Sequence, residues 1–332
     1  MKAYKGFDKD LKCRGYQYEI GGEYREDSAE LCSKGFHACE YPLDCFGYYT
    51  PAESRYCEVE IDDNGQRNDD DTKVCGKNIK IGAEIGINGI VKAATEYVKA
   101  HCTNEEMGAD KAALTGGNES ALTGGYRSAL TGGNESALTG GNQSALTGGY
   151  RSALTGGNES ALTGGYESAL TGGNESALTG GYRSALTGGN ESALTGGNQS
   201  ALTGGYRSAL TGGYASALTG GNQSALTGGY RSALTGGNWS ALTGGNQSAL
   251  TGGNWSALTG GNQSALTGGY ASVVYGGDGA KVRGGMHAVL ALQYWVDCEL
   301  VGIKVKVVDG DKIKPDTWYR LDKAGRFIEA KE

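Results

Sequence analysis

From Ala113 to Ala271 one large apolar side chain, leucine, recurs at every eighth position, from Leu114 to Leu266. The full pattern is A-L-T-G-G-[N/Y]-x-S, written twenty times without insertion or deletion. In a strand over S-A-L-T, Ser and Leu point one way and Ala and Thr the other. Leucine belongs inside, so serine goes inside with it, and Ala and Thr form the outer face. A unit this short buries its apolar group only against its neighbours, which makes a stacked rod rather than a globule. One octad is too short to close around a side chain. Two octads give a flat coil of 16 residues with two strands and two corners; three, giving 24 residues, is the competing geometry. At ~4.8 Å per strand, ten coils span roughly 50 Å. Gly-Gly is assigned to the corners, where a positive φ meets no Cβ clash. The inward Ser hydroxyls require partners in one another or in the corner backbone.

In a two-octad coil, residues 16 apart lie one above the other. This predicts a stacking and association ladder of Tyr150, Tyr166 and Tyr182, another of Tyr214 and Tyr230, and a Trp239–Trp255 pair. Glu159, Glu175 and Glu191 align in the same way; near a corner such like charges splay into solvent rather than hold a cation. Arg follows only Tyr, at positions 127, 151, 183, 207 and 231. That fits duplication of a sequence cassette, with a cation–π contact as the alternative. The outward threonines, Thr123, Thr131, Thr139, Thr147, Thr155, Thr163, Thr171 and Thr179, are the candidate binding face.

The flanks read differently. Residues 1–108 predict a small α+β head that caps the rod. Pro42 opens a short helix over Leu43–Tyr49. Strands are expected over Arg55–Ile61 and Lys77–Ile85, around an acidic loop at Asp62–Asp71. Asn88 is the expected cap of a helix with Ile90, Val91, Ala94, Tyr97 and Val98 on one face. The rod covers 109–285, its first unit degraded to Ala109–Ala112, while Val274 and Val282 hold the leucine phase. Residues 286–332 predict a β cap. Met286–Val296 reads as a strand or short helix, and Val301–Val308 and Trp318–Ile328 as two hairpins that shield the last rung. The fold class is therefore mainly β, a β-solenoid between a small head and a C-terminal cap.

Of the 60 glycines, 40 belong to the repeat, so the flanks have the composition of ordinary folded protein. Residues 1–112 carry 15 basic against 22 acidic side chains and account for the net charge of −7. No strongly basic segment is present, which argues against nucleic acid as a partner. No apolar run approaches the ~20 residues of a membrane span, so no membrane insertion is expected. The start lacks the apolar core of a signal peptide, which points to a reducing cytosol in which the eight cysteines are thiols. The N-x-S text of the Asn units would carry meaning only in a secretory pathway.

The octad resembles the repeat of bacterial ice-nucleation proteins, A-G-Y-x-S-T-x-T, against G-G-Y-R-S-A-L-T here. The resemblance implies a β-solenoid with stacked tyrosines and side-by-side association into fibres. This chain departs from it at A-x-T, as in Ala121-Leu122-Thr123, which removes one of the two outward hydroxyls held to order water. The ends, with M-K-A-Y-K-G-F at 1–7, C-S-K-G-F-H-A-C-E-Y-P-L-D at 32–44, Lys80–Gly86 and V-D-G-D-K-I-K-P-D-T-W-Y at 308–319, resemble uncharacterised proteins of gut bacteria and their phages. That group implies a solenoid and no activity.

Cys32, His37 and Cys39 lack the paired spacing of a structural zinc site, so thiols beside a hydrogen-bonded His are expected and no metal or cofactor is assigned. The 62–71 loop lacks the alternating ligands of a calcium hand. Lys34–Tyr49 resembles the strand–helix text of ADP-ribosyltransferases, which would give His37 and Glu58 or Glu60 roles in cofactor binding and catalysis, without a complete triad. No nucleophile elbow or P-loop is present. The expectation is a non-enzymatic structural or binding rod that forms dimers or fibres. The alternatives are a protein that binds ice or another ordered lattice through its Thr rows, and a degenerate transferase-like head on a stalk.

Overall fold

The computed structural model describes residues 1–67, 71–102 and 104–331. The repeat forms a β-solenoid of two parallel sheets in which every strand pairs with the one 16 residues away, Leu122 with Leu138 and Leu130 with Leu146. The two-octad coil is therefore the geometry adopted. Successive octads alternate between the sheets, one of 14 strands and one of 13.

From Leu122 onward the repeat leucines are at most 1% exposed and form one continuous core with Val274, Val282 and Leu290. Each contributes about 2 kcal/mol of burial. The serines are buried beside them. From Ser128 onward the hydroxyls donate to a corner carbonyl of the preceding coil, as Ser136 Oγ does to Gly117 O at 3.2 Å. Many also accept the backbone N–H of the serine 16 positions earlier, as Ser136 Oγ does from Ser120 at 3.4 Å.

The corners differ from expectation. The left-handed residue is the variable x position, with φ between 51° and 60° from Glu119 to Ala271. Glycine is required for space instead. A Cβ on Gly156 would lie 2.7 Å from the Ser160 Cβ and 2.8 Å from the Leu162 Cδ1. The neighbouring Asn holds the stack together. Asn118 Oδ1 accepts the N–H of Asn134, whose own Oδ1 accepts the N–H of Tyr150, each at 2.9 Å. Asp110 takes the same part in the degraded first unit, accepting from Tyr126 at 2.8 Å.

The head is a five-stranded sheet in the order Glu23–Arg25, Lys73–Ile85, Phe36–Cys39, Lys2–Asp8, Ser54–Asp63; the last also pairs with Lys73–Ile85 and closes it on itself. A 3-10 helix over Pro42–Gly47, with Pro first, ends two residues before the expected helix. The α-helix, α1, runs Ile87–His101 from an N-cap at Gly86, so Asn88 falls within its first turn rather than at its cap. Of the acidic loop, Asp62 and Asp63 belong to a strand, and Asp69 and Asp70 lie outside the described residues.

The first rung begins earlier than the repeat, at Asn104–Met107, which pairs with Ser120–Thr123. At the far end Val289–Val296 is a strand, and its hairpin partner is Glu299–Val307. Tyr319–Leu321 and Phe327–Glu329 form the second hairpin, and Tyr319 pairs with Val282 on the other sheet.

Candidate association face

Over the repeat the two sheets carry the same A-L-T strands, and along five coils their surroundings are opposite. On the 14-stranded sheet, α1 lies along the rod and packs against five consecutive strands. A helix of 15 residues is ~22 Å long at 1.5 Å per residue. Five strands at ~4.8 Å cover about the same distance. Beneath it Ala137, Ala153, Ala169, Ala185 and Ala201 are 0–3% exposed, in one cluster with Ile90, Val91, Ala94 and Val98. Alanine leaves a flat floor on which a helix packs closely. The head therefore sits on the flank of the rod, not at its end as a cap would.

Charge fixes which five coils it covers. The corner column under the head reads Glu135, Arg151, Glu167, Arg183 and Gln199, and Glu167 is the one Glu that follows a Tyr in the repeat. Arg151 Nε donates to Glu167 at 3.0 Å, and Arg183 Nη1 lies 3.4 Å from the same carboxylate. Asp44, its side chain 1% exposed, reaches down from the 3-10 helix and accepts from Arg151 Nη2 at 2.9 Å and from the Thr72 hydroxyl at 2.6 Å. Burial pushes the Asp44 carboxyl up from its ordinary value, against the pull of Arg151 and Thr72. Tyr41, fully buried, donates its hydroxyl to the Glu167 carbonyl at 2.5 Å. On a rod of near-identical rungs, this joint marks one register.

The 13-stranded sheet carries the same columns uncovered. Every outer Ala from Ala113 to Ala257 and every outer Thr from Thr115 to Thr259 is exposed, with no charged side chain between them. The face then becomes more apolar. Ala257 pairs with Val273, Val273 with Val289, and Val289 with Val307, while Ala291 pairs with Val305. Val273, Ile303, Val305 and Val307 are each at least half exposed. On the opposite face of the terminal strand, Lys304 and Lys306 stand in register with Leu292 and Leu290. Both are exposed, and charges on this face of an edge strand oppose edge-to-edge pairing and leave the broad face as the open surface.

The candidate threonines divide between these environments. Thr123, Thr139, Thr155 and Thr171 stand half-buried on the helix-bearing sheet, and Thr131, Thr147, Thr163 and Thr179 are exposed on the other. The ladder also divides. Tyr150, Tyr166, Tyr182, Tyr214 and Tyr230 precede strands of the first sheet, and Trp239 and Trp255 precede strands of the second. Tyr214–Tyr230 and Trp239–Trp255 stack at 5.7 and 5.4 Å with rings within 10° of parallel; Tyr166–Tyr182 meet edge-on at 6.3 Å. Tyr150 is turned instead toward Glu167 beside the joint. All five Tyr-Arg steps form cation–π contacts of 4.7–5.5 Å, the alternative that the sequence places behind cassette duplication. Glu159, Glu175 and Glu191 splay into solvent as expected.

In the head, His37 Nε2 accepts the Cys32 N–H at 3.0 Å, Cys32 Sγ faces Lys73 at 3.3 Å, and Cys39 is buried beside Cys45. Glu58 is tied to Lys2 at 2.9 Å and Glu60 is exposed, so neither joins His37 in the head cavity. Among the described residues no three His, Cys, Asp or Glu side chains are grouped to hold a metal ion. Among the described residues no helix is long and apolar enough to cross a membrane.

Residues 1–93 match the family described as Domain of unknown function (DUF7666). The match ends inside α1, so it includes Tyr41, Asp44 and the first half of the helix that grips the rod. No curated protein and no solved structure matches the chain.

Proposed function

We propose that the chain is a non-enzymatic structural rod whose uncovered sheet binds a second copy of itself. One observation carries this reading. The Ala column that is exposed on one sheet is, on the other, buried under the chain's own helix. The same surface chemistry therefore already accepts a packed protein element. The uncovered face has 13 strands. At ~4.8 Å per strand and about 10 Å of width it offers roughly 600 Å² per partner, near the lower bound for a specific interface. The valine-rich end supplies the exposed apolar patch that such contacts use. The head, by occupying five strands of the other sheet, leaves the uncovered sheet as the longer continuous face and favours pairs over open-ended stacks.

Sedimentation velocity of the full chain tests this. A dimer at micromolar concentration is expected, and an A161R/A177R/A193R variant should run as a monomer with unchanged melting temperature. A wild-type chain that stays monomeric, with no assemblies in negative stain, refutes the proposal.

A lattice-binding role is the second reading, supported by the unbroken row of exposed threonines from Thr115 to Thr259. Each coil supplies only one outward hydroxyl there, flanked by a methyl group. Absence of ice-recrystallisation inhibition at micromolar protein would reject it.

A further inference from the structure

Two lysines of the head are buried with no carboxylate among the described residues in ion-pairing distance. Lys5, in the middle of the Lys2–Asp8 strand, is 6% exposed, and Lys73, at the start of the Lys73–Ile85 strand, is 9% exposed. Lys5 Nζ donates to the His37 carbonyl at 2.7 Å and lies 5.8 Å from the Tyr18 ring centre. Lys73 Nζ sits 3.3 Å from the Cys32 Sγ and 4.4 Å above the Tyr48 ring. Among the described residues neither ammonium has a carboxylate within ion-pairing distance; the lysines that do pair are Lys2, Lys80, Lys92 and Lys314. An ammonium withdrawn from water costs several kcal/mol unless an opposite charge and hydrogen bonds answer it. Each of these keeps spare donors, since an ammonium has three.

Both lysines line one cavity of about 490 Å³, together with Arg14 and Glu26. That volume lies within the range of small-molecule sites, ~300–1,000 Å³. His37, also in the wall, has its imidazole held below the ordinary 6.5 by burial first, and then by Lys73, Lys5 and Arg14, against the Glu30 carbonyl. The imidazole is thus neutral near pH 7, and among the described residues that line the cavity three cations stand against one carboxylate, with Asp71 outside the lining on the Tyr48 hydroxyl. Phe36, Tyr18, Tyr48 and Tyr49 supply aromatic walls.

We propose that this cavity binds a small phosphomonoester bearing a planar ring, with the phosphate between Lys5 and Lys73 and the ring against the tyrosines. A phosphomonoester carries about −1.5 to −2 charge near pH 7 and three acceptor oxygens. It matches the excess charge of the cavity, and its oxygens take the unused ammonium donors. A carboxylate would leave one charge unanswered.

Isothermal titration of the full chain with adenosine monophosphate, inorganic phosphate and adenosine tests the assignment. The monophosphate should bind most tightly, phosphate more weakly and adenosine not measurably. K5M and K73M should each weaken monophosphate binding at least tenfold. Removing an unanswered buried charge should leave the melting temperature of the ligand-free variants equal or higher, which separates lost binding from lost folding. Absence of binding by both phosphate compounds at millimolar concentration overturns the proposal, as does equal binding by adenosine or undiminished binding by folded lysine variants. A readout without substitution is the His37 titration followed by NMR. A bound dianion beside the ring should raise its midpoint, and an unmoved midpoint at saturating monophosphate places the site elsewhere.

Discussion

Arg151 of the rod and Asp44 of the head, 107 positions apart, meet at 2.9 Å in a joint from which water is almost excluded. The pair joins two units that sequence periodicity treats as unrelated. Removing the guanidinium leaves the Asp44 carboxylate buried with only Thr72 as partner. R151A should therefore weaken the head–rod joint by about 3–5 kcal/mol. Limited proteolysis between α1 and the first rung should accelerate, while the rod keeps its circular dichroism. A D44N/R151M double variant should recover part of the loss, because it no longer buries an unpaired charge.

Ala169 and Ala177 occupy the same place in consecutive octads and lie on opposite sheets. A169L drives a larger side chain into α1 and should cost about 1–3 kcal/mol or more. In the monomer A177L projects into solvent, and at concentrations too low for association it should change stability by no more than about 0.5 kcal/mol. Chemical denaturation of the two variants checks the contrast, and equal effects would contradict the assignment of faces.

The corners make two predictions of opposite sign. G156A places a methyl group against Ser160 and Leu162 and should destabilise by about 1–3 kcal/mol. Glu175 holds a φ of 55°, which Asn adopts more readily. E175N should gain up to about 1 kcal/mol, and E175Q isolates the part due to removing charge from the Glu159–Glu175–Glu191 column.

His37 links the head to pH. Its folded pKa lies below 6.5, so the unfolded chain binds the proton first as pH falls. The stability tied to the neutral ring is complete above 6.5 and declines as pH drops through that value toward the folded one. Melting of the head should therefore shift downward between about pH 7 and pH 5, and H37Q should flatten the slope.

Lys304 and Lys306 guard the terminal strand. A K304V/K306V variant should associate end to end through that edge, and light scattering should show growing particles where the parent chain does not.

The stacked rod and its leucine–serine core were legible because both follow from an eight-residue period and side-chain alternation, and the aligned neighbours followed once a coil of two octads was taken rather than one of three. Trp239–Trp255 is such a case: a separation of 16 positions suffices to place the rings together. The corner chemistry was only half legible. Two glycines mark a turn, but whether they serve φ or space depends on Ser160 and Leu162 of the same corner, visible only once the chain is wound. Lys5 and Lys73 gave no signal at all, since surface and buried lysines read alike until their partners are known.

The opening of α1 illustrates the same limit, because Gly86 caps it although Asn88 has the better side chain for the task. The repeat by itself determined a stacked rod with Ala and Thr outward, because burial of leucine leaves no other phase; that two octads rather than three close each coil was decided by the fold. The repeat could not distinguish one sheet from the other, since both carry the same octad. Only the tertiary fold broke that symmetry. It laid α1 on one alanine column, chose the register through Asp44, Arg151 and Glu167, and left the opposite face open. Long-range packing decided these points, and a period of eight carries no information about them.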